Sequence, residues 1–447
     1  MRTHLLATTA AAALLAATSA QASGIFQEQP CRRTNGSRPS GLSLPKRPRL
    51  RATAVLASAA LNLAVSGVAS AQTWNGPGAD WNTAANWIPA TVPGPNGTAT
   101  FGGALPTSIS MAGGVAVGTL QFNAPNYTFD LPFGGTTING QGIVGLANAA
   151  TFSVMSTVGG TPAIDFNNSS SAGTAQIILG QVVDMAGGFN AGFANFRNTS
   201  TAGQATITVR DASAINFFDS STADHATIIV ERGGFLGFND QSNGAQATVI
   251  NNAGGEVGLF GLSTAGTTLG SIAGDGTFTL TSKNLTVGFN NNSTEVGGII
   301  TGDGGSLVKV GTGSLTLSGL NTYTGTTTVN NGALIVNGSI ASSSMTLVNS
   351  GATLNGSGTV GSTSVNAGGF LVPGPVGTPG SMTVAGNLTF QSGAFYIVQV
   401  NPTTASITNV SVAALSLQLT LPRVRKRLHS TFPNCLGSAC GSKKFDQ

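Results

Sequence analysis

The sequence predicts an all-β solenoid, a stack of short strands wound in coils of about 21 residues. Two alignments and the composition carry this reading. Phe196, Phe217, Phe238 and Leu259 stand 21 apart without a gap, and a serine follows each after four residues: Ser200, Ser221, Ser242 and Ser263. The first three copies continue in register as Ala205-Thr206-Ile207, Ala226-Thr227-Ile228 and Ala247-Thr248-Val249. With 63 glycines, 8% charged and 40% hydrophobic residues in 447, the chain is too apolar for disorder and lacks a collagen triplet period.

Residues 1–71 read as an export leader with two signal-like segments in series. Met1–Ala22 has Arg2, an apolar run from Leu5 to Ala17 and the ending Ala20-Gln21-Ala22. The second has Arg49 and Arg51, an apolar run Ala54–Val68 and Ala69-Ser70-Ala71. Both fit a secretory signal, and neither run is long enough to span a bilayer. Composition shifts sharply after Ala71, which favours cleavage there and Gln72 as the mature N-terminus.

Residues 72–101 hold all three tryptophans, Trp74, Trp81 and Trp87, among Gly, Pro and Asn. They could form an aromatic platform for sugar. The favoured reading is an N-terminal cap, because a solenoid end otherwise exposes sheet edges. Repeats then fill 102–300. Phe166, Ser170, Ala175 and Ile177 give one copy at a spacing of 30, a coil with nine extra residues (30 − 21), so 178–192 is expected to be a surface loop. Over 72–421, such coils would number roughly 16, each too small to offset its own conformational entropy and stabilised by its neighbours.

Charge follows the same segmentation. Residues 1–71 carry eight Lys/Arg and one Glu, 72–421 five Lys/Arg and thirteen Asp/Glu, and 422–447 six Lys/Arg and one Asp. The balances are +7, −8 and +5, summing to +4. A mildly acidic body argues against nucleic acid as a partner. Cys31, Cys435 and Cys440 all lie outside it, which fits a chain that crosses an oxidising compartment unfolded.

Residues 305–337 bring a family into view. Leu307, Lys309, Gly311, Gly313, Leu315, Leu317, Gly319, Asn321, Thr322, Tyr323, Gly325, Val329, Gly332 and Leu334 resemble the autotransporter-associated β-strand repeat of bacterial passenger domains. Thr326 stands where the family usually has a second Gly. The likeness runs on through Leu354–Val360, Pro373-Gly374 and Gly386–Phe390, so 301–410 is read as this repeat region. The resemblance implies a right-handed parallel β-helix and a displayed or released passenger. Such a protein would continue into a membrane β-barrel. Here 411–447 is a basic, atypical tail that reads as truncated or frame-shifted, which puts self-driven secretion in question.

Little in the body promises chemistry. Gly302–Ser306 resembles the setting of a protease nucleophile, but a triad also needs a positioned base. His225 is the body's single histidine, and it aligns with Gln204 and Gln246 as a solvent-facing repeat residue. Gly356, Gly358 and Gly361 spell a dinucleotide fingerprint without its strand–helix context. Asp275 and Asp303 lack the spaced acids of calcium repeats. A polysaccharide lyase or hydrolase would draw on Asp211, Asp219, Asp224, Glu231 and Asp240, where Asp219 and Asp240 align in adjacent coils; solvated turns are the simpler reading.

The expectation is therefore an exported β-helix passenger at the surface of a Gram-negative bacterium, adhesive and non-enzymatic. Its partner would be a host or neighbouring cell surface, matrix or glycan, with no nucleic acid and no spanning segment in the mature chain. No catalytic or metal residue and no cofactor is nominated. The alternatives are a carbohydrate-active β-helix enzyme and a non-functional fragment.

Overall fold

Alternating β-branched and small residues, broken every few positions by Gly, Asn or Asp, favour short strands, many of them of three or four residues. In Thr206–Val209 and Thr227–Val230 every second side chain points inward and is buried, as the two-residue period of a strand requires. The computed structural model describes residues 71–155, 160–183, 189–375 and 377–410. The chain divides after Ala64, and all described residues lie in the second unit. The two signal-like segments up to Ser70, the three cysteines and the basic tail lie outside the described residues. The first strand, Ala71–Trp74, starts at the residue before the expected mature terminus.

These strands form a parallel β-solenoid of about 14 turns with three faces. The first face is a 12-stranded sheet, in which only the edge pair Ala71–Trp74 with Trp87–Ile88 is antiparallel. The second face is a nine-stranded sheet including one hairpin arm. On the third face the early coils touch through single bridges, Gly142–Ser171–Thr201–Thr222–Asn243. It widens into a seven-stranded sheet from Gly266–Leu269 to Leu388–Phe390.

The predicted register is present. Phe196 pairs with Phe217 and Phe217 with Phe238, while Ile207, Ile228 and Val249 face one another across the second face. The rings of Phe166, Phe196, Phe217 and Phe238 stack at 4.7, 4.8 and 5.3 Å. Each such pair adds about 0.5–1.5 kcal/mol beyond its buried area. Ser170, Ser200, Ser221 and Ser242 form a buried column beside them, where only a small side chain fits as the strand turns.

Three expectations need correction. The fourth copy slips: Gly237 pairs with Gly258 but Asn239 pairs with Gly261, a bulge of one residue. Leu259 stays inside, Phe260 is pushed out, and Ser263 is exposed rather than in the serine column. Second, the insertion is not a plain loop, because Gln181–Val183 pairs antiparallel with Phe189–Ala191 as a hairpin on the second-face strand. Third, coil length varies from 30 residues (Phe166 to Phe196) to 17 (Leu354 to Leu371), and long early coils leave about 14 turns instead of 16.

At the first coil, all three indoles are buried. Trp87 stands edge-on to Trp74 and Trp81 at 5.0 and 4.7 Å, and all three pack on Phe101. Phe101 in turn stacks on Phe122 at 4.9 Å. Trp74 Nε1 donates to the Pro106 carbonyl and Trp87 Nε1 to that of Trp81. No ring face is left open for a sugar.

Candidate functional site

The acidic residues near the middle of the solenoid occupy its corners. A corner must reverse the chain in two or three residues, and it does so through the left-handed region, which Asn and Asp tolerate better than other non-glycine residues. Asn168, Asn198, Asp219 and Asp240 all have φ between 52° and 56°. Each later side chain then ties back to the preceding coil. Asn198 Oδ1 accepts the Asn168 N–H (2.9 Å), Asp219 Oδ2 that of Asn198 (2.7 Å), and Asp240 Oδ2 that of Asp219 (3.0 Å). The aligned aspartates are thus the last members of an Asx column that locks coil to coil. A sequence signal existed: each stands two residues after a core Phe (166, 196, 217, 238).

The remaining acids go elsewhere. Asp224 lies at the next corner with φ 50°, its backbone N–H held by Thr222 Oγ1. Asp211 lies at the third, with φ 54°, in a surface pair with Arg210 at 3.7 Å. The cluster seen in sequence is therefore spread around the coil instead of converging on one cleft. His225 is exposed in register with Gln204 and Gln246 and contacts Asp224. Ser306 belongs to a strand and donates to Asn284 Oδ1; at about 4.8 Å per coil, His225 is roughly four coils away. Gly356 ends a strand, and the element that follows it is the strand Thr359–Val360 and not a helix. Asp303 accepts a hydrogen bond from Thr324, and among the described residues no three His, Cys, Asp or Glu come together to hold a metal ion.

Residues 306–336 continue the same solenoid through Ser306–Lys309, Ser314–Leu317, Thr327–Val329 and Ala333–Val336. Between the second and third of these the first face loses its strand, and Asn321 replaces it. The Asn321 Oδ1 accepts the Ile300 N–H at 2.9 Å, while Nδ2 donates to the Gly319 and Ser339 carbonyls at 3.1 Å each. A carboxamide has the same donor and acceptor as a peptide group, so one side chain carries the ladder across the gap. Tyr323 is fully buried, with its hydroxyl in a chain through Thr327 to Ser343. Lys309 is 1% exposed and its ammonium donates to the carbonyls of Val310, Gly311 and Asn331. Burial brings its pKa down to about 8.

Residues 307–336 match the family described as passenger-associated-transport-repeat. The chain carries a passenger repeat. No curated protein and no solved structure gives a significant match. Leu307, Leu315, Leu317, Val329 and Leu334 of the passenger repeat are buried, and a Cβ on Gly319 would meet the Gly298 carbonyl at 1.8 Å. Its signature residues thus build coils and hold them in register. Thr326, where the family usually has Gly, is exposed. The passenger repeat and the solenoid around it support an exported passenger domain.

Proposed function

We propose that the protein is a passenger displayed on, or released from, the surface of a Gram-negative bacterium, where it binds other surfaces without catalysing a reaction. The observation that supports this best is the continuity of the passenger repeat with the solenoid before it. One uninterrupted stack, with interior Phe, Leu, Ile and Val, offers a long outer surface of corners and short strands. Its polar signature residues are turned to coil-to-coil bonding. The carbohydrate-active alternative needs Asp219 and Asp240 as an acid pair, whereas each gives one carboxylate oxygen to the backbone of the neighbouring coil. Binding of purified protein to epithelial cells, extracellular matrix and a glycan array tests the proposal. Uniform absence of binding would remove it, as would release of reducing or unsaturated ends from polysaccharide that Asp219→Asn abolishes.

A further inference from the structure

A groove of about 550 Å³ crosses four successive coils near the start of the solenoid. Its side chains are Asn96, Thr98, Thr119, Asn139, Gln141 and Ser169, with Gly118 and Gly140 between them. The groove exists because the first-face register breaks there: Val117 pairs with Ile138, but Thr119 pairs with Gly142. Two extra residues, 139–141 against 118, swell the later coil outward. A bulge of this kind re-aims side chains and is common beside binding sites. A Cβ on Gly118 would meet Gly97 O at 2.8 Å, and one on Gly140 would meet Gly118 O at 2.7 Å, so the floor is bare backbone.

The lining is chemically uniform. It has carboxamides and hydroxyls, no charged group, no aromatic ring and no large aliphatic side chain. The side chains of Asn96, Thr98, Gln141 and Ser169 make no hydrogen bond to other described residues, while Asn139 Oδ1 accepts from Asn167 and Thr119 Oγ1 accepts from the Gln141 N–H. An anionic ligand would lack a cation here, and a lipid or apolar peptide would lack apolar contact. An extended peptide adding to the sheet needs a free edge, and strands on both sides already occupy it. Four coils at about 4.8 Å make a track roughly 14 Å long, the length of a short oligosaccharide, whose hydroxyls both donate and accept.

We propose that this groove is a subsite for a neutral glycan. The proposal names a ligand class for the surface-interaction reading and rests on it for delivery to that ligand. The full-length protein would be titrated calorimetrically with cellotetraose, mannotetraose and chitotetraose, and with tetragalacturonate as the acidic counterpart. At least one neutral tetrasaccharide should bind, and the double variant Asn96→Ala/Gln141→Ala should weaken it at least tenfold. Ser169→Trp, which fills the groove from its exposed rim, should do the same. Both variants change exposed side chains, so the unfolding temperature should stay constant. Absence of neutral-sugar binding, binding insensitive to both variants, or preference for tetragalacturonate would each overturn the subsite. Adherence of the native protein to cells without binding of any neutral tetrasaccharide would refute the groove and leave the surface role standing. Sugar binding without any adherence would support the groove and refute the surface role.

Discussion

At Asp219 the side chain has two tasks, to adopt φ 53° and to accept the Asn198 N–H. Asparagine performs both, as Asn198 shows one coil earlier. Asp219→Asn should therefore change stability by less than about 0.5 kcal/mol, whereas Asp219→Ala should cost about 1–3 kcal/mol through strain and a lost bond. Urea unfolding of the two variants checks this, and equal losses would contradict the Asx column. Lys309 makes a different prediction. Its pKa falls from 10.5 to about 8 on burial, so the native state holds fewer protons than the unfolded chain between those values. Stability should rise as pH increases from about 8 toward 10 and be flat below 8. Burial pushes the Tyr323 phenol the other way, so above about pH 10 the unfolded chain ionises first and stability should fall. Thermal unfolding from pH 7 to 9.5 should show the rise in the native sequence and lose much of it in Lys309→Met.

Among elements, the strands on the core were the most legible in sequence, because a buried row repeats in kind as well as position. Phe over Phe and Ile over Ile leave a letter pattern with a fixed period. Corners left a weaker one, since Asn, Asp, Gly and even Ala take the same left-handed turn: the second corner runs Gly173, Gly203, Asp224, Ala245. The polar groove left none, because its residues come from coils of unequal length and join through a two-residue bulge. Asn321 was visible only as a family letter, and its role depends on a strand missing from the fold. Asn321→Ala should leave the Ile300 N–H and the Gly319 and Ser339 carbonyls without that partner. At about 1–3 kcal/mol for a buried group left unsatisfied, a loss of roughly 2–4 kcal/mol follows. Hydrogen exchange should accelerate at Ile299–Thr301 and Ser339–Ile340, and unchanged exchange there would show that the carboxamide does not carry the ladder.

For the solenoid as a whole, stability is close to a sum of coils and nearest-neighbour interfaces, so damage should stay local. The tryptophan cluster gives the sharpest case. Trp81 is fully buried, packs on Trp87 at 4.7 Å and on Phe101 at 6.2 Å, and its carbonyl receives the Trp87 indole. Beyond Phe101 the contact passes to Phe122 one coil on, across that same coil to Phe129, and then to Phe152 in the following coil. We propose that the indoles act as a cap, shielding the first strands and the ring stack from water. Trp81→Ala should then cost about 3–5 kcal/mol, the usual range for emptying a buried aromatic site, but only for the first few coils. Hydrogen exchange should rise across Thr98–Phe101 and Val115–Phe122 and stay at native levels in Thr327–Val329 and Ala333–Val336. The groove at Asn96 and Thr98 lies in the loosened part, so its ligand should be lost with the cap while the passenger repeat remains folded. Uniform exchange along the whole solenoid would instead mean that the coils unfold as one unit, with the indoles contributing core volume and no end protection.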